Sequence, residues 1–268
     1  MLLLDKYNRK INYLRISITD RCNLRCTYCM PEKGIKLLNH SNILRYEEII
    51  DIVKVAVELG INKIRITGGE PLIRKGVVEF IKMLKQINGI EDICLTTNAV
   101  LLEQFAKTLA NAGLNRVNVS LDTLNYEKFK EISRGGDLTK VIRGIFAAKE
   151  AGFHPIKINC VIKHSVDEND AQDVANFASL HGFQARFIKT MNLASGVFSH
   201  VINGEGGDCA KCNRLRLTSD GYILPCLFSN LKFNVKELGT KEAILQAVNS
   251  KPSTGKNNNL GQFYNIGG

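Results

Sequence analysis

The sequence of 268 residues contains no long uncharged apolar run, although 44% of its residues are hydrophobic. The N-terminal stretch Met1–Lys10 has three consecutive leucines before the charged residues Asp5, Lys6 and Arg9, which is too short for the apolar part of a secretory signal. No other segment approaches the roughly 20 apolar residues that a membrane-spanning helix needs. We therefore expect a cytoplasmic protein that does not interact with a membrane.

Two further patterns are missing from the sequence. Apart from an alternation of strand-like and helix-like segments, no internal repeat indicates a solenoid. The net charge is +10, but only 7% of the residues are aromatic and no basic run is interleaved with aromatics. Such a run is typical of nucleic-acid-binding surfaces, so a nucleic-acid-binding zinc protein is disfavoured. A solvated basic surface and an anionic ligand both remain compatible with the charge.

The sequence does contain eight cysteines, and six of them fall into two tight clusters. Disulfides are rare in reducing compartments, so clustered cysteines there indicate metal ligands or catalytic groups. The clusters are Cys22, Cys26 and Cys29 (the first triad) and Cys209, Cys212 and Cys226 (the second triad). The other two, Cys94 and Cys160, lie singly in apolar stretches and are predicted core residues.

Short β-rich runs alternate with helical segments from about residue 12 to residue 189. The predicted strands are Tyr13–Thr19, Lys63–Thr67, Ile93–Thr97, Arg116–Leu121, Ile156–Ile162 and Ala185–Lys189. Repeated βα units predict a parallel sheet, and about six of them predict an α/β fold, an incomplete (βα)6 TIM-like barrel. We assign residues 1–190 to this barrel. We expect residues 191–268 to form a small C-terminal cluster-binding extension that carries the second triad.

One face of almost every predicted strand is polar. Arg15, Arg65 and Lys157 alternate with aliphatic residues, and successive side chains of a strand point to opposite faces. An antiparallel, half-solvated sheet would alternate in the same way, but long helical connections favour parallel crossovers. The polar faces would then line the barrel interior. Unpaired buried cations are costly, so this interior must hold water or an anionic ligand.

The first triad, with spacing C-x3-C-x2-C, directly follows the first predicted strand. Parallel barrels place their chemistry at this end of the strands. Three thiolates can hold three irons of a four-iron cluster and leave the fourth iron open to another ligand. A structural zinc requires a fourth protein ligand, and none lies nearby, His40 being the closest histidine. The pattern favours a cluster over zinc or free thiols.

The segment from Thr19 to Pro31 resembles the signature of the radical S-adenosylmethionine superfamily. Thr67-Gly68-Gly69-Glu70-Pro71, one βα unit later, is similar to the glycine-rich motif that contacts the methionine amino group in that superfamily. Glycine there permits close approach of the backbone to a ligand. The resemblance implies one-electron reduction of the sulfonium, which gives a 5′-deoxyadenosyl radical that removes a substrate hydrogen.

The second triad, with Arg214, Arg216 and the terminal Gly267-Gly268, closely resembles the GTP 3′,8-cyclase family of molybdenum cofactor biosynthesis, and the similarity covers nearly the whole chain. The resemblance implies a lyase that converts GTP to 3′,8-cyclo-7,8-dihydro-GTP, with S-adenosylmethionine and two 4Fe-4S clusters. It also implies an electron donor and cyclic pyranopterin monophosphate synthase as the next enzyme, and it is compatible with a homodimer.

The same resemblance implies individual site residues. The implied GTP contacts are Arg15, Arg65, Thr96, Lys157, Arg214 and Arg216. The implied S-adenosylmethionine contacts are Tyr28, Gly69, Ser120 and Met191. Ordinary roles stay open for some of them, since Met191 could be a core residue and Ser120 and Thr96 simple strand polar groups. A zinc site made of the second triad and His200 also stays open.

The chain departs from the family pattern in two places. It is shorter by several dozen residues, with the gap expected between Met191 and Cys209, and its tail has Gly261, Gln262 and Phe263 where the family has arginine and methionine. A displaced second cluster or a poorly docked tail would impair cyclisation and spare radical generation. The alternative function is a peptide-modifying radical enzyme with an auxiliary cluster, which needs a peptide-docking surface in place of a triphosphate site.

Overall fold

Strands and helices alternate along the first 190 residues, as the sequence predicts. The computed structural model describes residues 2–259. The first strands are β1 (Tyr13–Ser17), β2 (Lys63–Thr67), β3 (Asp92–Thr97), β4 (Arg116–Ser120), β5 (Lys157–Ile162) and β6 (Gln184–Lys189). The accompanying helices are α1 (Tyr46–Glu58), α2 (Val77–Lys85), α3 (Leu102–Asn111), α4 (Tyr126–Ser133), α5 (Leu138–Glu150) and α6 (Asn169–His181).

Several helix ends follow from local side-chain chemistry. The Asn125 side chain accepts a hydrogen bond from the Lys128 amide at the start of α4, and Asp137 accepts one from Thr139 at the start of α5. These bonds satisfy amides that a helix leaves unpaired at its N-terminus. The helix α6 ends at Gly182, whose φ of 73° lies in the left-handed region that glycine adopts readily.

All six strands pair in parallel, in the order β6-β5-β4-β3-β2-β1. The parallel prediction is therefore confirmed, and the antiparallel alternative for this part of the chain is wrong. Within residues 2–259, β6 and the other edge of the sheet do not pair with each other, so the barrel is incomplete. None of the helices in that range is long and apolar enough to cross a membrane.

The apolar faces of the strands form the core beneath the helices. Ile16 and Ile66 of the first two strands and Val119 of β4 are completely buried, together with helix residues such as Val53 and Ile145. Cys94 and Cys160 are buried as predicted. The alternation read from the sequence thus separates a helix-covered side of the sheet from the barrel interior.

The C-terminal region extends the same sheet. The strand β7 (Arg214–Leu217) pairs in parallel with β1, and β8 (Tyr222–Leu224) and β9 (Phe233–Asn234) continue the sheet antiparallel. Two helices follow, α7 (Val235–Leu238) and α8 (Thr240–Asn249). The division into domains at residue 190 remains a prediction. Gly261, Gln262, Phe263 and the Gly267-Gly268 end lie outside the described residues.

Gly144 of α5 allows this helix to pack closely against the loop after β3. A Cβ atom at this position would lie 2.4 Å from the carbonyl oxygen of Ala99 and 3.1 Å from the Cβ of Leu102. The first distance is far shorter than van der Waals contact, and its partner is a backbone atom that cannot rotate away. The close packing matters for the site, because Ala99 follows Asn98 in the same loop.

We expect Gly144→Ala to destabilise the protein. Helix propensity alone would favour alanine over glycine by about 1 kcal/mol, whereas forcing an extra methyl into a packed contact costs roughly 1–3 kcal/mol. Denaturant unfolding of the apoprotein measures the balance. A variant more stable than the parent would contradict the close approach of α5 to Ala99.

Candidate active site

The first triad lies at the carboxyl ends of the parallel strands. Its three cysteines line one cavity with residues from the loops or ends of β2 to β6. This cavity, the first cavity, is bounded by Cys22, Cys26, Tyr28, Cys29, Thr67, Gly68, Gly69, Thr96, Asn98, Ser120, Asn159, Val161, Ile188 and Met191, among others. All four predicted S-adenosylmethionine contacts therefore line the same cavity as the first triad. Thr96, predicted as a GTP contact, lies here too.

Gly69 brings the loop after β2 against the cysteine loop. Its amide donates to the Thr19 carbonyl at 2.8 Å, and the next amide, of Glu70, donates to the Arg21 carbonyl at 2.8 Å. A Cβ atom on Gly69 would lie 2.2 Å from that Arg21 oxygen. Glycine is thus required by the contact between two backbones, and the two motifs found in the sequence form one unit.

The Glu70 carboxylate holds the loop after β2 to the end of β3. It accepts hydrogen bonds from the Leu72 amide at 3.0 Å, the Thr97 hydroxyl at 2.8 Å and the Asn98 amide at 2.7 Å. The Asn98 side chain donates in turn to Asn23 Oδ1 at 2.8 Å and approaches Cys22 Sγ at 3.8 Å. Sequence reasoning missed Asn98. Its position at the end of a parallel strand, on the same edge as the triad, was the available signal.

Asp122 is a second buried carboxylate that sequence reasoning missed. Its Oδ2 atom accepts the Tyr28 hydroxyl at 2.7 Å, and its Oδ1 atom accepts the Val161 amide at 2.8 Å. Burial raises the pKa of Asp122, and its hydrogen bonds partly oppose this shift. Asp122 follows β4 directly, so it joins the aromatic residue of the cysteine loop to β5.

The first triad has an acidic surrounding. Burial raises the pKa of Cys22 to about 11, with a further contribution from the Glu70 charge, and raises that of Cys29 to about 11. Burial and then the Asp122 charge raise the pKa of Cys26 to about 12. Without a metal these groups are neutral thiols near pH 7. Since thiolates are the metal ligands, cations of a cluster must offset this penalty when they bind.

The second triad has a basic surrounding. Cys209 and Cys212 precede β7 and Cys226 follows β8, and each sulfur has a nearby donor. Thr254 Oγ1 lies 3.6 Å from Cys209 Sγ, and the Phe228 amide lies 3.4 Å from Cys226 Sγ. Burial opposes ionisation of Cys212, but the charges of Lys251 and Arg214 and hydrogen bonds outweigh burial and lower its pKa to about 7.

A second cavity joins this triad to a group of buried cations. It is lined by the three cysteines and by Tyr13, Arg15, Arg65, Arg186, Met191, Arg214, Arg216 and Lys251, among others. Arg216, Arg15 and Arg65 occupy matching positions on β7, β1 and β2. Four of the six predicted GTP contacts are thus together in this cavity. Lys157 is not among its lining residues; burial and then the charges of Arg186 and Arg116 lower its pKa to about 8.

Several polar atoms in these cavities are unsatisfied. Among residues 2–259, the Nε atoms of Arg65 and Arg186 and the hydroxyl of Thr96 are buried and have no hydrogen-bond partner. Such atoms are rare in folded proteins and indicate a ligand or solvent that the protein atoms do not supply. Arg186 was missed from the sequence, although its polar position in β6 follows the alternation that identified Arg65.

The two cavities share a wall made of Asn159, Ile188 and Met191. The two cavities therefore adjoin, and each is lined by one triad. All six cysteines are free thiols. In the part of the chain that the structure describes, no group of three or more His, Cys, Asp or Glu side chains is arranged to hold a single metal ion. The zinc hypothesis with His200 gains no support, whereas the ligands of a four-iron cluster bind separate irons and need not converge on one point.

Comparison with known proteins defines the class. The Radical SAM superfamily matches residues 16–178. Among solved structures, anSMEcpe with bound AdoMet superposes with a TM-score of 0.64 at 19% identity, covering 87% of this chain and 77% of that one. Streptococcus suis SuiB bound to S-adenosylmethionine gives 0.62 at 17% identity, covering 93% and 66%. The chain belongs to the Radical SAM superfamily.

Curated relatives narrow the assignment. A GTP 3′,8-cyclase of Petrotoga mobilis is 42% identical over 302 aligned positions, covering 93% of this chain and 94% of the relative. A GTP 3′,8-cyclase of Thermodesulfovibrio yellowstonii is also 42% identical, with 92% and 94% covered. Within the superfamily, the chain belongs to the GTP 3′,8-cyclase family. Since 93% of 268 residues is about 249, about 50 of the 302 aligned positions have no counterpart here.

The pH dependence of stability tests the environment of Glu70. Burial raises the pKa of this carboxyl from 4.5 to about 7, although three hydrogen bonds oppose the shift. The folded apoprotein then binds a proton more tightly than the unfolded chain. The contribution of Glu70 to the free energy of unfolding must therefore fall as the pH rises from about 4.5 to about 7, by roughly 1–3 kcal/mol.

Glu70→Gln should remove most of this fall, whatever its effect on absolute stability. Urea unfolding of the reduced apoprotein at several pH values between 4.5 and 8 measures the slope. The exposed Glu79→Gln serves as the control and should keep the parent slope. Parallel pH profiles for Glu70→Gln and the parent would contradict the assigned environment.

Proposed function

We propose that the protein acts as a GTP 3′,8-cyclase, a radical S-adenosylmethionine lyase that converts GTP to 3′,8-cyclo-7,8-dihydro-GTP in the first step of molybdenum cofactor biosynthesis. The observation that carries the proposal is the pair of adjoining cavities, each lined by one cysteine triad, of which the second also gathers buried arginines. Membership of the GTP 3′,8-cyclase family supports the same activity.

In this proposal the first triad holds a 4Fe-4S cluster and the first cavity holds S-adenosylmethionine. When bound, these two groups supply the electron and the carbon-centred radical that the reaction requires. Tyr28, Gly69, Ser120 and Met191 would contact the cofactor. Glu70 and Asn98 keep the cysteine loop against the ends of β2 and β3, and Asp122 fixes the ring of Tyr28.

The second cavity holds GTP in this proposal. Arg15 and Arg216 are buried side by side, and burial followed by the neighbouring arginine charges lowers the pKa of both. A triphosphate would relieve this repulsion and provide acceptors for the planar guanidinium groups, which bind phosphates with paired hydrogen bonds. Arg65, Arg214 and Lys157 would add to the same anion site. Thr96 faces the first cavity, where substrate and cofactor would meet.

The second triad would hold a second 4Fe-4S cluster whose open iron faces the guanine. Its place in the lining of the GTP cavity supports this assignment. We also propose, from the family resemblance, an external electron donor, transfer of the product to cyclic pyranopterin monophosphate synthase, and a C-terminal substrate-binding region that begins near residue 191. A homodimer is compatible with this arrangement.

A peptide-modifying activity is the alternative. The solved neighbours include SuiB bound to precursor peptide SuiA, at 17% identity with a TM-score of 0.61, a likeness that concerns the fold alone. A peptide substrate would require a docking surface, whereas the second cavity concentrates buried positive charge. The cavity chemistry thus favours a nucleoside triphosphate.

We expect the anaerobically reconstituted protein to bind GTP, and the double variant Arg214→Ala, Arg216→Ala to bind it at least about 100-fold more weakly. Each charge-assisted hydrogen bond contributes about 1.5–3 kcal/mol, so the loss of two arginines should cost at least about 3 kcal/mol, which corresponds to about 100-fold. Calorimetric titration measures both affinities. Arg143→Ala is a matched control, because this arginine forms an exposed ion pair with Glu103. Failure of the parent protein to bind GTP would reject the proposed substrate.

Iron counting tests the number of clusters. Two 4Fe-4S clusters predict about eight irons and eight sulfides per chain, against about four for one cluster. Replacing all three cysteines of either triad with alanine should lower the count to about four. Only the first-triad variant should lose cleavage of S-adenosylmethionine. A parent protein with about four irons, or with zinc at the second triad, would contradict the two-cluster proposal.

A further inference from the structure

Lys251 is a fully buried lysine beside the second triad, and no motif of the sequence analysis included it. Its relative exposure is 1%. The ammonium donates to the carbonyl oxygens of Arg214 at 2.7 Å and Pro225 at 2.6 Å, and Lys251 lines the second cavity together with Cys212 and Cys226. These two carbonyl groups use two of the three N–H donors of the ammonium.

The partners of Lys251 come from the segments that carry the triad. Arg214 lies two residues after Cys212, and Pro225 immediately precedes Cys226. A single side chain thus connects the start of β7, the end of β8 and the segment after α8. Removing it would deprive two carbonyl groups of their donor at once, so this lysine helps to define the distance between two cysteine loops.

Arg9 reinforces the same wall from the N-terminal side. Its guanidinium donates to the carbonyl oxygens of Cys209 at 2.6 Å, Pro252 at 2.7 Å and Ser253 at 3.1 Å, and Asp5 neutralises it through an ion pair at 2.6 Å. Thr254, in the same segment, reaches Cys209 Sγ. Residues 251–254 therefore form one side of the second triad.

The charge of Lys251 is only partly balanced by these bonds. Carbonyl groups satisfy the donors of an ammonium but do not neutralise it, and a buried uncompensated charge is costly. Burial lowers the pKa of Lys251, whereas negative charge on Cys212 and Cys226 acts in the opposite direction. Arg9 does not provide a counter-charge for Lys251, because it is itself a cation and repels the ammonium. Thiolates at the triad would provide the missing counter-charge.

The first triad differs from the second in its hydrogen-bond donors and in the charge of its neighbours. There, Cys22 receives hydrogen bonds from the Leu24 amide and the Asn98 side chain, which are neutral donors. The charged neighbours are the carboxylates Glu70 and Asp122. Hydrogen bonds to the sulfurs and the local net charge are two of the properties that set the reduction potential of an iron–sulfur cluster. Positive charge stabilises the reduced form, which carries one more electron.

We infer that Lys251 is a positioning residue of the second cluster, which holds the loops of Cys212 and Cys226 together through two backbone carbonyl groups and whose positive charge makes this cluster easier to reduce than the first. The inference rests on the proposed second cluster. In this inference, Lys251 both positions the cysteines of the second triad and causes the difference in reduction potential between the two clusters.

The experiment compares Lys251→Met with the parent protein and with Lys251→Arg, each reconstituted anaerobically as the full chain. Redox titration monitored by electron paramagnetic resonance should show the second-cluster midpoint shifted to more negative potential in Lys251→Met, with the first-cluster midpoint unchanged. Iron bound at the second triad should also decrease. Lys251→Arg, which keeps the charge, should restore most of the parent potential.

Lys256→Met is the matched control, because it removes the same charge from an exposed position five residues further on. It should leave both midpoints and the iron content unchanged. If Lys251→Met does not fold, Lys251→Gln, which keeps a donor and loses the charge, provides the same comparison. If Lys251→Met and Lys251→Gln both bind two clusters and keep the midpoint potentials of the parent, the inference about Lys251 is wrong, whereas the two-cluster proposal stands. A parent protein with about four irons would overturn the two-cluster proposal and this inference with it.

Discussion

The parallel pairing of β1 with β2 on one side and β7 on the other is the constraint on which the site depends. Because the three strands are in register, Arg65, Arg15 and Arg216 lie side by side across the sheet. The first triad follows β1, while two cysteines of the second triad precede β7. The strand pairing therefore sets the separation between the triads and fills the space between them with positive charge.

This arrangement gives the two triads opposite electrostatic surroundings. Glu70 and Asp122 lie near the first triad, whereas Lys251 and Arg214 lie near the second. The two triads have the same three ligands, so the difference in their surroundings comes from side chains in segments far apart in the chain.

The short connection between β6 and the second triad still forms part of the active-site wall. Asn192 bridges Val197, and Ile202 bridges Phe187 of β6, so the segment folds back along the open edge of the sheet. Phe198, Ser199 and Val201 line the second cavity. The loss of about 50 positions relative to the Petrotoga mobilis protein thus leaves β7 paired with β1 and the arginines together. The expectation of a shortened chain is confirmed, and the location of the gap stays a prediction.

The sequence alone determined the local features of this protein. The alternation of aliphatic and polar residues identified the strands and the face carrying Arg15 and Arg65, and cysteine spacing identified both triads, because these patterns depend on neighbours in the chain. Tertiary structure decided the rest. Asp122 and Lys251 have no local signal that distinguishes them from surface polar residues, and the positions of Asn98 after β3 and of Arg186 in β6 do not show which residues they meet. Lys251 meets Arg214 across 37 residues, Asn98 meets Asn23 across 75 and Asp122 meets Tyr28 across 94. Only the folded sheet, by bringing strand ends to one edge, decides which polar side chains are buried beside a cysteine sulfur.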